Sequence, residues 1–368
     1  MTIIDKGGIG EKLVDTIERF TGKIKGGLGV VTVVACAVFG AVSGSSSATL
    51  TCIGSIMTPR LKEQGYSDGV IGTLLASSGV LGILIPPSMI MILYAWSGGV
   101  SVLACFLATI LPGIILVVLF SLINIYWAKH NPNMKAYAYL VDKAAVPALK
   151  KKGQSAIPAL MMPVIILGSI YGGILTCTEA AALSVAYAIP VGFLYYKQLD
   201  RNTFREALVQ AGRSAGVIMA MLFAVQILSR LYISQNLPDM ILGLLTSISS
   251  NKYIILLMIN VFMIIIGMLM DDCSATILVT PILLPVMQQL GISPIHFAAI
   301  LGVNIGMGNV TPPTAPLLYL AGRISGAQVK DMLKPTLTLI AFAWLPTLLV
   351  TTFIPQLAMF LPTLLGLA

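Results

Sequence analysis

The chain has 368 residues, of which 57% are hydrophobic and only 10% are charged. A soluble domain carries about 25% charged residues because its surface faces water, so this composition excludes an ordinary soluble protein. The formal net charge of +8 raises the question of a nucleic-acid partner. We predict none, because the basic residues lie mostly in short segments between apolar runs, where they set membrane orientation.

Long apolar runs recur along the chain and predict membrane-spanning helices. A spanning helix needs about 20 predominantly apolar residues, and we predict roughly a dozen helical segments embedded in the lipid bilayer. The runs lack the alternation of a membrane β-barrel, so the fold class is an all-α polytopic membrane protein. In chain order the main runs are Val100–Tyr126, Pro158–Ile170, Ala180–Tyr196, Ile218–Leu231, Tyr253–Met270 and Ile340–Phe353.

Two stretches, one in each half of the chain, repeat the same pattern of interruptions. The first begins GAVSGSSSAT at Gly40 and continues to a Pro-Pro pair at 86–87. The second begins GMLMDDCSAT at Gly267 and continues to a Pro-Pro pair at 312–313. The shared Ser-Ala-Thr, Gly and Pro-Pro interrupt apolar runs at equivalent places, which predicts two copies of one structural unit.

The basic residues predict that the two copies have opposite orientations. Lys and Arg concentrate on the cytoplasmic side of membrane proteins. In the first copy they follow the Ser-rich stretch, at Arg60 and Lys62, whereas in the second they follow the Pro-Pro segment, at Arg323, Lys330 and Lys334. The motif therefore runs in opposite directions, which is the inverted-topology architecture of many secondary transporters.

The first interruption in each copy predicts a re-entrant helical hairpin with a polar tip near mid-membrane. The tips are Ser43–Thr49 and Asp271–Thr276, and each separates two runs that are short for full spans. Single small polar residues in membrane helices more often mediate close packing. The four serines of the first tip, opposite an inverted partner, favour binding instead. We predict substrate contacts from Ser43, Ser46, Ser47, Thr49, Ser274 and Thr276, and from Pro312.

The second interruption in each copy predicts a broken helix, over Gly82–Ser88 and Gly308–Thr314. A double proline removes two N–H donors and disfavours helical geometry in the residue before it. Unwound backbone at membrane depth is tolerated where it lines protein or a wet cavity. Its carbonyl oxygens suit a hard cation such as sodium, whereas half-helix N-termini suit an anion. Two tips and two unwound segments could thus form two cation sites and one anion site.

Three carboxylates stand out in this apolar chain. A carboxylate inside a membrane is costly and usually functional, which draws attention to Asp271 and Asp272 at the second tip. We predict a cation-ligand role for Asp271, whereas Asp272 could equally cap the outgoing half-helix. Glu179, within Thr176-Cys177-Thr178-Glu179, predicts an N-terminal capping arrangement at the outer membrane face.

Several strings resemble the large membrane subunit of the tripartite ATP-independent periplasmic (TRAP) transporters, which handle C4-dicarboxylates, sialic acid and other organic acids. The resemblance to this DctM-like family covers nearly the whole chain, and the string from Pro-Ile-His to Thr-Pro-Pro is quite specific. The strings are GGIGEKLV (7–14), SGSSSAT (43–49), LGILIPPS (81–88), TCTEAAALSVAYA (176–188) and PILLPVMQQLGISPIHFAAILGVNIGMGNVTPP (281–313).

The resemblance implies a transporter subunit of the bacterial inner membrane that imports organic acids, with no enzymatic activity and no covalent cofactor. It implies sodium as the coupling ion and an elevator mechanism, in which a transport domain holding both hairpins slides past a scaffold. It implies two partners, a small four-helix membrane subunit and a periplasmic solute-binding protein. Carried onto this sequence, the sodium ligands are Ser45, Gly82 and Pro86 at one site, and Asp271, Gly308 and Thr311 at the other.

Three features depart from the family's pattern. Cys177 replaces the proline of a common Thr-Pro-Thr-Glu string. Thr314-Ala315 follows Thr-Pro-Pro where Val-Gly is usual, which we expect to alter the substrate pocket. The first repeat also lacks a counterpart of the apolar segment that precedes the second. We therefore expect an N-terminally truncated chain, with Met1 an internal methionine, that assembles poorly.

The repeats divide the chain into three parts. Residues 1–128 form the first inverted repeat, which lacks its leading scaffold helix. Residues 129–200 form a basic cytoplasmic connector and two membrane helices, and residues 201–368 form the second inverted repeat. The predicted elements within the repeats are hairpins over 27–63 and 253–290, broken helices over 67–97 and 294–322, and a final membrane helix over 335–355.

Other functional classes compete with the tripartite transporter. A single-component sodium–dicarboxylate symporter of the same superfamily would need no binding protein. An intramembrane hydrolase is disfavoured, because neither His130 nor His296 lies near a Ser-rich tip in sequence and no HExxH motif occurs. A passive channel can also contain inverted repeats with broken helices, and sodium-dependent uphill uptake would exclude it.

Overall fold

The computed structural model describes residues 14, 17–18, 25–131, 157–197 and 199–367, and every regular element among them is a helix. Most of the GGIGEKLV string and most of the predicted basic connector lie outside these residues. The helices are α1 (Gly27–Ser43), α2 (Ser46–Gln64), α3 (Asp68–Gly79), α4 (Leu81–Leu84), α5 (Met89–Gly98), α6 (Val102–His130), α7 (Ile157–Tyr171), α8 (Cys177–Pro190), α9 (Arg201–Ser234), α10 (Leu237–Ile248), α11 (Lys252–Leu269), α12 (Asp272–Gln289), α13 (Pro294–Gly308), α14 (Pro316–Ser325), α15 (Val329–Leu339), α16 (Leu345–Phe353) and α17 (Pro355–Leu364).

Within the described residues, five helices are long and apolar enough to cross a membrane. A sixth span results if α3–α4 and α5, which meet at an angle of 44°, are counted as one broken span. Short π-helical stretches extend α8 and join α15 to α16. The predicted all-α polytopic membrane protein is thereby confirmed. The five spans are Val102–His130, Cys177–Tyr195, Arg201–Tyr232, Lys252–Leu269 and Val329–Phe353.

The two halves of the chain contain the same order of elements. Two helices meet at a short break, as α1–α2 in the first half and α11–α12 in the second. A third helix then ends at a Pro-Pro loop, and a 10-residue helix follows it, α5 in one half and α14 in the other. The four breaks lie within the interruptions noted in the sequence, at residues 44–45, 270–271, 85–88 and 309–315.

The two halves interlock because each sends one helix onto the hairpin of the other. Helix α5 packs against α12, and α14 packs against α2 and α3. A Cβ added to Gly98 of α5 would lie 2.7 Å from Leu284 Cδ2 of α12. A Cβ added to Gly54 of α2 would lie 3.1 Å from Ile324 Cγ2 of α14. This reciprocal packing brings the two tips to the same region of the molecule.

Within each half, the hairpin touches the broken helix through a pair of glycines. A Cβ added to Gly40 of α1 would lie 2.7 Å from Gly82 Cα, and one added to Gly308 of α13 would lie 2.7 Å from Gly267 Cα. Both contacts join backbone to backbone, which only small residues allow between membrane helices. The two pairs occupy equivalent positions of the repeat and hold each tip beside its Pro-Pro loop.

We predict that a single methyl group at these contacts destabilises the fold. Gly40→Ala and Gly308→Ala should each lower the free energy of unfolding by about 1–3 kcal/mol, because the crowding atoms belong to backbone. Matched controls are Gly168→Ala and Gly216→Ala, where an added Cβ meets nothing within 4 Å. Melting temperatures of the purified protein in detergent test this. Equal losses in all four variants would contradict the glycine contacts.

Candidate functional site

The backbone of the first tip is fixed against the first Pro-Pro loop. Gly44 adopts a left-handed conformation (φ 64°), and its N–H donates to Gly40 O at 2.8 Å, which closes α1. Its carbonyl accepts from Met89 N at 3.0 Å, at the start of α5. A Cβ at Gly44 would lie 2.7 Å from Pro87 O, so both the conformation and the close approach require glycine here.

Oxygen atoms of the first tip converge beside Gly82. The hydroxyls of Ser43 and Thr49 are hydrogen-bonded at 2.7 Å. A Cβ at Gly82 would lie 2.5 Å from Thr49 Oγ1 and 2.6 Å from Ser45 O, so these two oxygens lie against a position that glycine leaves open. The structure therefore brings predicted ligands Ser45 and Gly82 together, through the Ser45 carbonyl. The Ser45 hydroxyl instead contacts Ser47 Oγ at 3.2 Å, and Pro86 is buried in the adjoining loop.

At the second tip, Asp271 is the N-cap of α12. Its Oδ2 accepts from the backbone N–H groups of Cys273 and Ser274, at 3.1 and 3.3 Å, and its Oδ1 accepts from the Ser274 hydroxyl. A side-chain oxygen at the N-cap satisfies N–H groups that have no partner within the helix. The capping role considered for Asp272 therefore belongs to Asp271, and its role as a cation ligand stays a prediction.

The other predicted residues of the second half make separate contacts. Thr311 Oγ1 donates to Met307 O at 2.6 Å, and Thr276 Oγ1 donates to Asp272 O at 2.7 Å. Gly308 approaches Gly267, as described above. Pro312 is half-buried in the second loop. Thr314, one of the departures from the family pattern, donates its hydroxyl to Met268 O and so ties this loop to the end of α11.

Asp272 joins the two halves of the molecule. Its Oδ2 accepts from the hydroxyl of Ser46, in the first turn of α2. Its Oδ1 accepts from the side-chain amide of Asn309, which also donates to Ile305 O at 3.1 Å. The carboxylate thus connects the first tip, the second tip and the second unwound segment. Charge-assisted hydrogen bonds of this kind are the strong ones, particularly away from water.

A cavity of about 160 Å³ lies where these elements meet. Four of the predicted residues line it, Ser45, Ser46, Ser47 and Asp271. None of the described residues that line it is Lys, Arg or His, so an anion there would depend on hydroxyls and helix N-termini. The remaining lining residues are Ile83, Met89, Ile90, Asp272, Cys273, Asn309, Pro316, Leu317 and Leu320.

Asn309 is the site residue that sequence reasoning missed. It lies inside the second unwound segment, and the equivalent position of the first repeat holds the apolar Ile83. The signal that could have identified Asn309 is a polar amide in one repeat at a position that is apolar in the other. The predicted cap at the start of α8 is confirmed: Thr176 N donates to Glu179 Oε2 at 2.8 Å, and Glu179 N donates to Thr176 Oγ1 at 3.4 Å.

Paired breaks around a polar centre, in an apolar helical chain, are typical of polytopic membrane transport proteins. A family model described as "Tripartite ATP-independent periplasmic transporter, DctM component" matches residues 1–357, and the chain belongs to this family. It is therefore a permease component of the bacterial inner membrane and not an enzyme, as the sequence predicted.

Three relatives illustrate the similarity. The isethionate TRAP transporter permease protein DctMQ of Oleidesulfovibrio alaskensis is 32% identical over 96% of this chain, which spans 55% of that protein. The C4-dicarboxylate TRAP transporter large permease protein DctM of Pseudomonas aeruginosa is 30% identical over 98% of this chain and 83% of its own length. The sialic acid TRAP transporter large permease protein SiaM of Vibrio cholerae is 29% identical over 98% of this chain and 83% of its own length.

The contact between the two tips predicts a specific cross-link. In a background without native cysteines, Ser46→Cys with Asp272→Cys should form a disulfide on mild oxidation in most molecules, because the two side chains touch. Intact mass after maleimide labelling measures the thiols that remain. Ser46→Cys with Asp239→Cys is the control, since Asp239 bonds Gln289 at the opposite end of α12. Full labelling of the Ser46/Asp272 pair would contradict the contact.

Proposed function

We propose that this chain is the permease of a sodium-coupled importer of organic acids. It receives its substrate from a periplasmic solute-binding protein and works with a small four-helix membrane subunit. The observation that carries the proposal is the pair of tip oxygens beside Gly82, Thr49 Oγ1 and Ser45 O, with the Ser43 hydroxyl bonded to the first, next to a cavity lined by both tips. Such a pairing of a cation site with an anion site is what coupled transport requires.

The oxygens beside Gly82 suit sodium. Thr49 Oγ1 and Ser45 O lie against Gly82, Ser43 Oγ is hydrogen-bonded to Thr49 Oγ1 at 2.7 Å, and the Thr49 side chain is fully buried. A hard cation prefers oxygen ligands, and several neutral oxygens can replace its hydration shell at membrane depth. Asp271, Gly308 and Thr311 remain our proposed ligands for a second sodium ion at the equivalent place of the second repeat.

Of the two helix N-termini at the tips, that of α2 is better suited to bind an anion than that of α12. Helix α12 is already capped by the Asp271 carboxylate, whereas Ser45, the N-cap of α2, makes no side-chain capping bond. The first N–H groups of α2 therefore remain available, with the positive end of the helix dipole behind them. We place the substrate's acid group there, against the backbone N–H groups that follow Ser45 and the hydroxyls of Ser45 and Ser47, because the Ser46 hydroxyl already donates to Asp272.

The names of the relatives support an organic acid. The permeases named above are described for isethionate, C4-dicarboxylate and sialic acid, three different molecules that each carry an acid group. This common feature matches a site that recognises an acid through hydroxyls and a helix end. Part of the selectivity then resides in the binding protein that delivers the substrate.

The proposed movement is that of an elevator, with re-entrant hairpins of opposite orientation in one moving domain. Support comes from the reciprocal packing of α5 on α12 and of α14 on α2. Because each half's hairpin is packed by the other half, a rigid displacement would carry both tips and the cavity together. The long exposed helix α9 is our candidate for part of the scaffold.

Reconstitution tests the proposal. Proteoliposomes containing this chain, its small subunit and its binding protein should accumulate labelled organic acids only with an inward sodium gradient. Asp271→Ala should lower that uptake. Uptake without either partner would assign the chain to single-component symporters, and uptake that ignores the sodium gradient would refute the coupling.

We predict that Thr49→Val weakens sodium binding at the first site. The change preserves shape but removes one oxygen beside Gly82, so the sodium concentration for half-maximal thermal stabilisation should rise about ten-fold, the effect of losing one bond to a charged group. Thr51→Val is the matched control, because the Thr51 hydroxyl is exposed and only bonds Ser47 O at 2.8 Å. An unchanged sodium requirement in Thr49→Val would remove Thr49 from the site.

A further inference from the structure

Asp272 is a negative group in a cavity that we assign to an anion. Of the described side chains that line the cavity, none is basic, and the neighbouring carboxylate is Asp271. A second bare carboxylate placed beside Asp272 would be repelled, most strongly where water is scarce. A substrate that fits this cavity must therefore present something other than an acid group to Asp272.

The Asp272 carboxylate has acceptor capacity to spare. An ionised carboxylate offers about four acceptor positions on its two oxygens. In the structure Ser46 donates to Oδ2 and Asn309 to Oδ1, and the half-buried side chain also lines the cavity. The remaining positions can accept hydrogen bonds from a molecule in the cavity, because Ser46 and Asn309 already fix the orientation of the carboxylate.

We infer that the substrate of this permease is an organic acid that also carries a hydroxyl or ammonium group, and that Asp272 accepts a hydrogen bond from that group. The inference rests on the proposed function, and it identifies Asp272 as the residue that selects substrates with a hydrogen-bond donor. Its geometric basis is that Ser46 belongs both to the N-terminus of α2, where we place the acid group, and to the partners of Asp272. The donor therefore lies on a carbon close to the acid group, as in 2-hydroxy and 2-amino acids.

The size of the expected preference follows from unpaired buried groups. A site built to bond a substrate hydroxyl rejects the analogue that lacks it far better than an apolar pocket rejects a missing methylene. The donor-free analogue leaves the free Asp272 acceptor positions without water or partner. We expect a preference of at least about ten-fold for the hydroxylated member of a matched pair.

The test compares matched acids on the purified complex of this chain with its small subunit, so that the binding protein does not contribute selectivity. The probes are malate and aspartate against succinate, and lactate against propionate, which differ by one hydroxyl or ammonium group. Sodium-dependent shifts in melting temperature give an apparent Kd for each acid. Asp272→Asn and Asp272→Ala are compared with Asp239→Ala, an exposed carboxylate outside the cavity.

In the wild type and in Asp239→Ala we expect the donor-bearing acid to bind at least about ten times more tightly than its donor-free analogue. In Asp272→Ala this ratio should fall below about three. The donor-bearing acids should bind this variant more weakly than they bind the wild type, whereas succinate should bind it at least as tightly as the wild type. Because the ratio is measured within one variant, a lower yield of folded protein does not affect it.

Three results would overturn the inference. The first is that donor-free acids bind the wild type as tightly as the matched acids that carry a hydroxyl or ammonium group. A lower melting temperature without ligand in Asp272→Ala, with the ratio unchanged, would show that Asp272 only bridges the two halves. A changed sodium requirement with the ratio unchanged would assign Asp272 to a cation. All three leave the proposed function standing, whereas a lack of sodium-dependent uptake of any acid by the complete system, with its binding protein, would overturn the proposed function itself.

Discussion

The site depends on two close contacts of glycine with glycine, one in each half of the molecule. Gly40 meets Gly82 in the first half, and Gly267 meets Gly308 in the second, with spacings that leave no room for a side chain. Membrane helices lack a hydrophobic drive to associate, so close packing of small residues has to position them. The two contacts hold each hairpin tip against an unwound segment, and the reciprocal packing of the halves then brings both tips to one cavity.

The same scaffold carries different chemistry in its two halves. In the first tip, hydroxyl and carbonyl oxygens surround Gly82 and the N-terminus of α2 has no side-chain cap. In the second tip, Asp271 caps α12 and Asp272 reaches across to Ser46. A symmetric pair of tips would bind the same group twice. This asymmetric pair can place a cation, an acid group and a hydrogen-bond donor at separate points around one small cavity.

Much of this arrangement could be predicted from the sequence, because its signals are local. Double prolines and polar tips interrupt apolar runs, and each interruption indicates a break in a helix whatever its surroundings. The roles of Asp271 and Asp272 could not be separated in this way. At the start of a helix, the side chains of neighbouring residues point in directions about 100° apart, so the role of each depends on which residue is the N-cap. Asn309 was missed because its partner Asp272 meets it only through tertiary packing.

We propose that the two hairpins, whose tips line one cavity, enter the membrane from opposite sides. Side-specific labelling tests it most directly, with single cysteines at the exposed bases of the hairpins, Glu63→Cys after the first and Gln288→Cys after the second. With a membrane-impermeant maleimide, we expect Glu63→Cys to react only from the cytoplasmic face and Gln288→Cys only from the periplasmic face. Labelling of both positions from the same face would contradict the inverted arrangement and the shared site built on it.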